Sequence, residues 1–328
     1  MKYLSLFSGI GGFELGIQQA YETRISNEME QWGCGQKENK LETFMPNTFS
    51  ESNIRQSPDC IGFSEIDKYA IQIYQKHFNH KNYGDITKIN EKELPEFDLI
   101  VGGFPCQSFS IAGKRGGFND TRGTMFFHIA RILKAKQPRL LLLENVKGLL
   151  SHDEGRTFAT IISTLDELGY DLQWQVLNSK NFGVPQNRER VFIIGHLRGT
   201  PRPKVFPIGE TTTGSIKVCA RGKHQQDIVY DKSGILNLPA GTHGSTPHLT
   251  KIMDGGQAYS WALRGRDYKD GTNFISKGTK IRRLTPTECE RLQGFPDGWT
   301  EGVSDTQRYK CLGNAVTVNV IKEILANL

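Results

Sequence analysis

The chain has 328 residues, 37% of them apolar and 23% charged, which is the balance of a soluble globular protein with core enough for one large and one smaller domain. No apolar run approaches membrane-spanning length, and Met1-Lys2-Tyr3-Leu4 leads straight into a strand without a signal-peptide pattern, so a cytoplasmic location and no membrane partner are expected. Six scattered cysteines (34, 60, 106, 219, 289, 311) with no Cys-x-x-Cys pair argue against a disulfide framework or a structural zinc site, and no metal is expected.

The net charge of +6 is unevenly placed: residues 196–280 hold 13 Lys/Arg against 6 Asp/Glu, a net of +7 that leaves the remainder near neutral. A solvated face would look similar, but confinement to one loop-rich segment also suits a surface that meets phosphates.

In chain order, residues 3–7 read as a short strand ending in Phe7-Ser8-Gly9-Ile10-Gly11-Gly12, and Glu14 to Ala20 as a helix. Residues 21–58 are polar and broken by Gly33, Gly35 and Pro46, and read as an insertion. Ile61 to Glu65 is a second strand and Lys68 to Phe78 a helix with Ala70, Ile71, Tyr74 and Phe78 on its apolar side. A strand at 97–101, a helix at 123–135, a strand at 139–143 closed by Glu144-Asn145, a helix at 157–168 and strands at 172–177 and 190–195 continue the alternation. Such alternation predicts an α/β fold with a mostly parallel sheet covered on both faces. After Gly199 the rhythm is lost until Arg282, where Thr285-Pro286-Thr287-Glu288 reads as a capped helix start. An apolar last helix, 316–325, needs a sheet to pack on, which makes 200–280 an excursion from one domain comprising 1–199 and 281–328.

Two constellations carry chemistry. The first is the glycine turn after the first strand, where a ligand can approach backbone and helix N-terminus. Its spacing differs from the dinucleotide fingerprint Gly-x-Gly-x-x-Gly, and a plain tight turn would look the same. Glu65 and Asp85 end successive segments and together suit an adenosine, through ribose hydroxyls and the adenine amino group. The second is Gly102-Gly103-Phe104-Pro105-Cys106-Gln107-Ser108 with Glu144 and the arginines of Gln186-Asn187-Arg188-Glu189-Arg190. A lone cysteine is more often a small core hydrophobe, but this one sits among turn-formers and polar groups just past a buried strand. Glu144 ends a run of leucines, apolar surface that favours the protonated carboxyl. A thiolate, a carboxyl group and an arginine suit addition to a pyrimidine: the thiolate attacks C6, the carboxyl shares a proton with N3, and arginine holds O2, which makes C5 nucleophilic toward a methyl sulfonium.

These pieces in this order resemble a DNA (cytosine-5)-methyltransferase of the bacterial restriction–modification type: Phe7 to Phe13, Glu65, Gly84-Asp85-Ile86, Gly102 to Ser110, Glu144-Asn145-Val146, Gln186 to Phe192, Arg283 to Pro286 with Arg291 to Pro296, and Gly313 to Val316. The resemblance spans almost the whole chain. It implies a Rossmann-like methyltransferase sheet, Cys106 as nucleophile, Glu144 as the N3 acid, and Arg188 and Arg190 orienting the cytosine. It places Phe7, Gly9, Ile10, Gly12, Glu65, Ile66, Asp85, Ile86, Pro105, Asn314 and Val316 around S-adenosyl-methionine. Ser108 to Gly123 would close on double-stranded DNA with the target cytosine flipped out. Residues 200–280 would form a smaller, irregular or β-rich target-recognition domain. Gln107 and Ser108 are expected at the DNA, as are Arg264 and Arg266, which flank Gly265 in a basic turn that could equally be a solvated loop. The enzyme is expected to act as a monomer without an obligate protein partner, and a cognate restriction endonuclease would be its functional counterpart. A tRNA cytosine-5 methyltransferase of the DNA-enzyme-like branch is the alternative that shares both sites. Ser5 stands where the family often has an acid, which is expected to alter packing more than activity.

Overall fold

The computed structural model describes residues 1–31, 57–105, 125–201, 203–209, 218–220, 229–230, 249–250, 260–261, 263, 274–277 and 280–328. Four parallel strands start it: β1 (Lys2–Leu6), β2 (Asp59–Ser64), β3 (Leu99–Gly103) and β4 (Leu140–Val146). β5 (Tyr170–Asn178) and β7 (Glu189–Leu197), separated by the two-residue β6 (Gln186–Asn187), complete a six-stranded sheet in the order β2-β1-β3-β4-β7-β5, in which β7 runs antiparallel to both neighbours. Both faces of the central strands are covered, so their sequences are continuous apolar runs rather than alternating ones.

Alternate residues of those runs feed two cores. Leu4, Leu6, Ile100, Leu141, Leu143 and Ile193 pack under α3 (Met125–Lys136) and α4 (Arg156–Glu167). Tyr3, Leu99, Val101, Leu140, Leu142 and Ile194 pack under α1 (Gly12–Gln31) and the terminal α7 (Val318–Ala326). α7 therefore packs on the sheet, as its apolarity predicted. A third core joins Ile10 and Leu15 to α2 (Lys68–His77), α5 (Pro286–Gln293) and α6 (Asp305–Asn314).

The start of α5 is a capping box: Thr285 Oγ1 accepts from the Glu288 amide, and the Glu288 carboxylate accepts from the Thr285 amide at 2.7 Å, with Pro286 in the first turn. α1 differs from expectation. It continues through residues 21–31 of the expected insertion, because Gln18 and Glu22 bond one turn apart at 2.9 Å and Arg24 Nη2 reaches the Leu325 carbonyl of α7 at 3.2 Å. The rest of that insertion, 32–56, lies outside the described residues. α6 was not anticipated, since its ten residues carry only Cys311, Leu312 and Gly313 on the buried side. In the 200–280 region the described pieces are the short strands β8 (Val218–Ala220), β9 (Val229–Tyr230), β10 (Leu249–Thr250), β11 (Ser260–Trp261) and β12 (Phe274–Lys277), with β13 (Lys280–Arg283) paired antiparallel to β12.

Two acids are buried among the described residues, Glu290 and Glu14, and the second lies under α2. Glu14, in the first turn of α1 and 1% exposed, accepts a hydrogen bond from the Tyr74 hydroxyl at 3.0 Å, and Tyr74 also meets His80 Nδ1 at 2.8 Å. Burial pushes the Glu14 carboxyl up from 4.5 to about 7, against the hydrogen bond from Tyr74, which favours the anion. The unfolded chain loses this proton near 4.5 and the folded chain only near 7, so stability falls as pH rises across that window. Glu14→Gln keeps an acceptor for Tyr74 and removes the proton linkage. Urea denaturation should show the parent losing on the order of 3 kcal/mol between pH 4.5 and 8 through this group. The variant should lack that part of the slope and be the more stable protein at pH 8. An unchanged pH slope would show that Glu14 stays ionised in the fold.

Candidate active site

The carboxyl ends of β1, β2, β3 and β4 lie along one edge of the sheet. β7 runs the other way, so its first residues come to the same edge. In the β4–β7 register Glu144 pairs with Phe192 and Val146 with Arg190, which makes Glu144 and Arg190 same-face diagonal neighbours. Their side chains meet: Arg190 Nε stands 3.0 Å from Glu144 Oε1, with side-chain exposures of 18% and 12%. The carboxylate thus faces a guanidinium rather than the bare apolar surface expected from the preceding leucines. On β3, a Cβ at Gly103 would stand 3.0 Å from Glu144 Oε2, so this glycine gives the carboxylate its room. Asn145, 2% exposed, donates to the Phe104 carbonyl at 2.9 Å and anchors the turn that leads through Pro105 to Cys106. Sequence reading had given Asn145 no role. Cys106, Gln107 and Ser108, the loop 108–123, and Arg264 and Arg266 lie outside the described residues.

Arg188 departs from its expected place beside the base. It is 2% exposed; Nη1 donates to the carbonyls of Leu263 (2.7 Å) and Gly313 (3.2 Å), and Nη2 to that of Ala315 (2.8 Å). The break between β6 and β7 falls at this residue, whose amide donates to Asn178 Oδ1 at 3.1 Å, and its side chain runs into the protein. Of the two arginines, Arg190 alone lies against Glu144.

The glycine turn lies along the same edge. Phe7 has a positive φ of 53° and Gly9 one of 57°, and a Cβ at Gly9 would meet nothing within 4 Å. Glu65, just past β2, accepts from the Gly9 amide through Oε2 (3.0 Å) and from the Ile66 and Asp67 amides through Oε1 (2.8 and 2.9 Å). Ile66 beside it is 73% exposed. Asp85 accepts from the Thr87 amide at 2.9 Å, which holds its carboxyl below the usual range, and Gly84 before it also borders open space. Ile10, Ile86 and Val316 are buried, and Asn314 and Pro105 are exposed. The turn is backed from the C-terminal side: a Cβ at Gly12 would clash with Val316 Cγ1 at 2.8 Å, and Trp299 Nε1 donates to the Ile10 carbonyl at 2.9 Å. Trp299 had not been singled out, because its ring stacks on His77 from a distant part of the chain and carries no local pattern.

The sheet is thus open and mostly parallel, with a glycine turn and acids at the ends of its first strands and a carboxylate–arginine pair further along the same edge. A profile of C-5 cytosine-specific DNA methylases matches residues 1–328, and the chain belongs to that family. Among relatives, it is 39% identical to the type II methyltransferase M1.ScrFI of Lactococcus lactis subsp. cremoris, over 98% of this chain and 76% of that protein. It is 40% identical to M.NgoBI of Neisseria gonorrhoeae, over 98% of this chain and 90% of that protein. It is 32% identical to M.HhaI of Haemophilus parahaemolyticus, over 100% of this chain and 94% of that protein. The fold is similar to the crystal structure of S. pombe Dnmt2 methyltransferase, with a TM-score of 0.66 at 20% identity, covering 99% and 97% of the two chains. The protein is a DNA (cytosine-5)-methyltransferase.

The ion pair is half-buried, so breaking it leaves a carboxylate with poor solvation. Arg190→Leu should cost about 1–3 kcal/mol in denaturant unfolding, and Glu144→Gln in the same background should recover part of that loss. A double-mutant cycle with no coupling would mean that the two groups do not meet in solution.

Proposed function

We propose that the chain methylates C5 of a flipped-out cytosine in a short double-stranded DNA sequence through a covalent Cys106–C6 adduct, with S-adenosyl-methionine as methyl donor. The observation that carries this reading is the Glu144–Arg190 pair, set one strand from the turn that precedes Cys106 and on the same edge as the glycine turn. The residues around that turn fit the donor. Open space lies beside Gly9 and Gly84, Ile66 presents an apolar surface for an adenine, and the Glu65 and Asp85 carboxylates can accept from ribose hydroxyls and an amino group. When bound, S-adenosyl-methionine supplies a methyl group activated by its sulfonium. Asn314, Val316 and Pro105 would complete the pocket.

The thiolate of Cys106 adds to C6, the electron pair of the C5–C6 double bond shifts to form a C4–C5 double bond, and the C4–N3 pair moves onto N3. Glu144 would share a proton with N3, which absorbs the developing charge, and Arg190, 3.0 Å from that carboxylate, would orient it and hold O2. C5 then accepts the methyl group. Loss of the C5 proton to a base and departure of the thiolate restore the aromatic ring. C6 cannot be reached inside the stack, so the base must leave the helix.

Residues 200–280, with Arg264 and Arg266 as candidates, would read the DNA, and Gln107 and Ser108 would contact it beside the nucleophile. Named type II relatives support DNA over tRNA as substrate, and protection of host DNA against a cognate endonuclease is the corresponding role. Incubation with unmodified DNA and with tRNA, followed by bisulfite sequencing, separates the two substrates; transfer confined to tRNA would overturn the DNA reading.

Cys106→Ala should abolish methyl transfer while the thermal transition stays close to the parent's, since only the adduct needs the thiol. Turnover at the parental rate would end the covalent mechanism. Glu144→Gln keeps the shape but removes the transferable proton, and the single-turnover rate should drop by about 10²-fold or more with cofactor binding little changed. A variant that instead lost cofactor affinity at a normal chemical rate would put this carboxylate in the other pocket.

A further inference from the structure

Arg188 joins three stretches of chain. It stands between β6 and β7, two residues before Arg190. Leu263, whose carbonyl it holds, follows β11, and β11 pairs in parallel with β6 inside the basic segment, just ahead of Arg264 in the sequence. Gly313 and Ala315, whose carbonyls it also holds, flank Asn314 next to the glycine turn. Each link is doubled by a buried amide. Gln186 accepts from the Leu263 amide at 3.1 Å and donates to the Leu292 carbonyl at 2.7 Å. Gln293 donates to the Leu312 carbonyl at 2.7 Å, and its oxygen accepts from Thr317 Oγ1 at 2.9 Å. Gln186 and Gln293 are both 0% exposed.

A planar guanidinium presents donors in a fixed fork, so carbonyls bound to it are fixed relative to one another. In the interior such a fork is stable only while its donors are matched, so a shift of any one carbonyl disturbs the others. We propose that Arg188 is a positioning residue that couples the 200–280 segment, held at Leu263, to the Asn314–Val316 side of the proposed cofactor pocket. The inference rests on the reading of Asn314 and Val316 as cofactor-facing and of 200–280 as DNA-facing. It predicts that DNA and cofactor tighten each other's binding through this fork, by the same factor in both directions.

The test is calorimetric titration of S-adenosyl-homocysteine, without DNA and with a duplex carrying the methylated site. The duplex should lower the parent's dissociation constant several-fold. Arg188→Lys keeps the charge but replaces the fork by a point donor, and it should weaken DNA-free binding by about tenfold and bring the DNA effect close to unity. Arg190→Lys, which alters the base side, should leave DNA-free binding within about twofold. Should Arg188→Lys fail to fold by circular dichroism, Gln186→Leu decides: it frees the Leu263 amide and the Leu292 carbonyl without touching Gly313 or Ala315, so DNA-free affinity should persist and the DNA effect should fall. Parental affinity and a parental DNA effect in Arg188→Lys, or a parental DNA effect in Gln186→Leu, would overturn the coupling. An uncoupled parent would do so as well. A parent that does not bind S-adenosyl-homocysteine at all would instead overturn the cofactor reading, and this inference with it.

Discussion

The direction of β7 is the constraint from which the site follows. Had it run parallel to β4, its first residues would lie at the far end of the sheet from Glu144. Because it is antiparallel, the start of β7 meets the end of β4, and the register sets Arg190 opposite Val146, diagonal to Glu144. β3 pairs in parallel on the other side of β4 with Gly103 beside Glu144, so the turn toward Cys106 leaves from the same edge. Glu144 thus has a guanidinium on one side and a side-chain-free strand end on the other. Precision here comes from strands, not loops, which suits chemistry that depends on sub-ångström placement.

The glycine turn depends on a different part of the chain. Its backbone is held from above by Glu65, which accepts from the Gly9 amide, and from behind by the C-terminal helices. Trp299 reaches Ile10, while Val316 and Phe295 crowd Gly12, so the turn keeps its shape only when residues after 280 have docked. Two segments nearly 300 residues apart therefore build one turn and its backing.

Much of this was legible in the sequence. The leucine run of β4, the glycines after β1 and the Thr285-Pro286 cap each express a local rule, and each element formed within a few residues of its expected bounds. The ion pair was half legible: Glu144 and the two arginines were recognisable, but Arg188 and Arg190 share spacing and chemistry. What separates them is the break between β6 and β7, a tertiary event that turns one side chain inward and leaves the other on the sheet face. Trp299 and Glu14 were illegible for the same reason. Their partners, Ile10 and Tyr74, lie far away in sequence, and an acid in a first helical turn ordinarily reads as a solvated cap rather than a buried group.

The distribution of charge by depth separates scaffold from site. Glu290 is fully buried and accepts from the amides of Gly298 (2.7 Å) and Thr300 (2.8 Å), from the Thr300 hydroxyl, and from Arg308 Nη2 at 3.0 Å. Arg188 is almost as deep and holds backbone in the same way. A charge taken wholly out of water must have its hydrogen-bonding capacity met by the protein, so such groups set main-chain geometry and have little left for a ligand. Glu144 and Arg190 sit at the opposite balance. They are close enough to orient each other and exposed enough to exchange part of that contact for a third partner. In the proposed reaction a base entering this edge would complete a solvation that the pair only partly supplies to itself, so the carboxylate–arginine contact would be the element that binding adjusts.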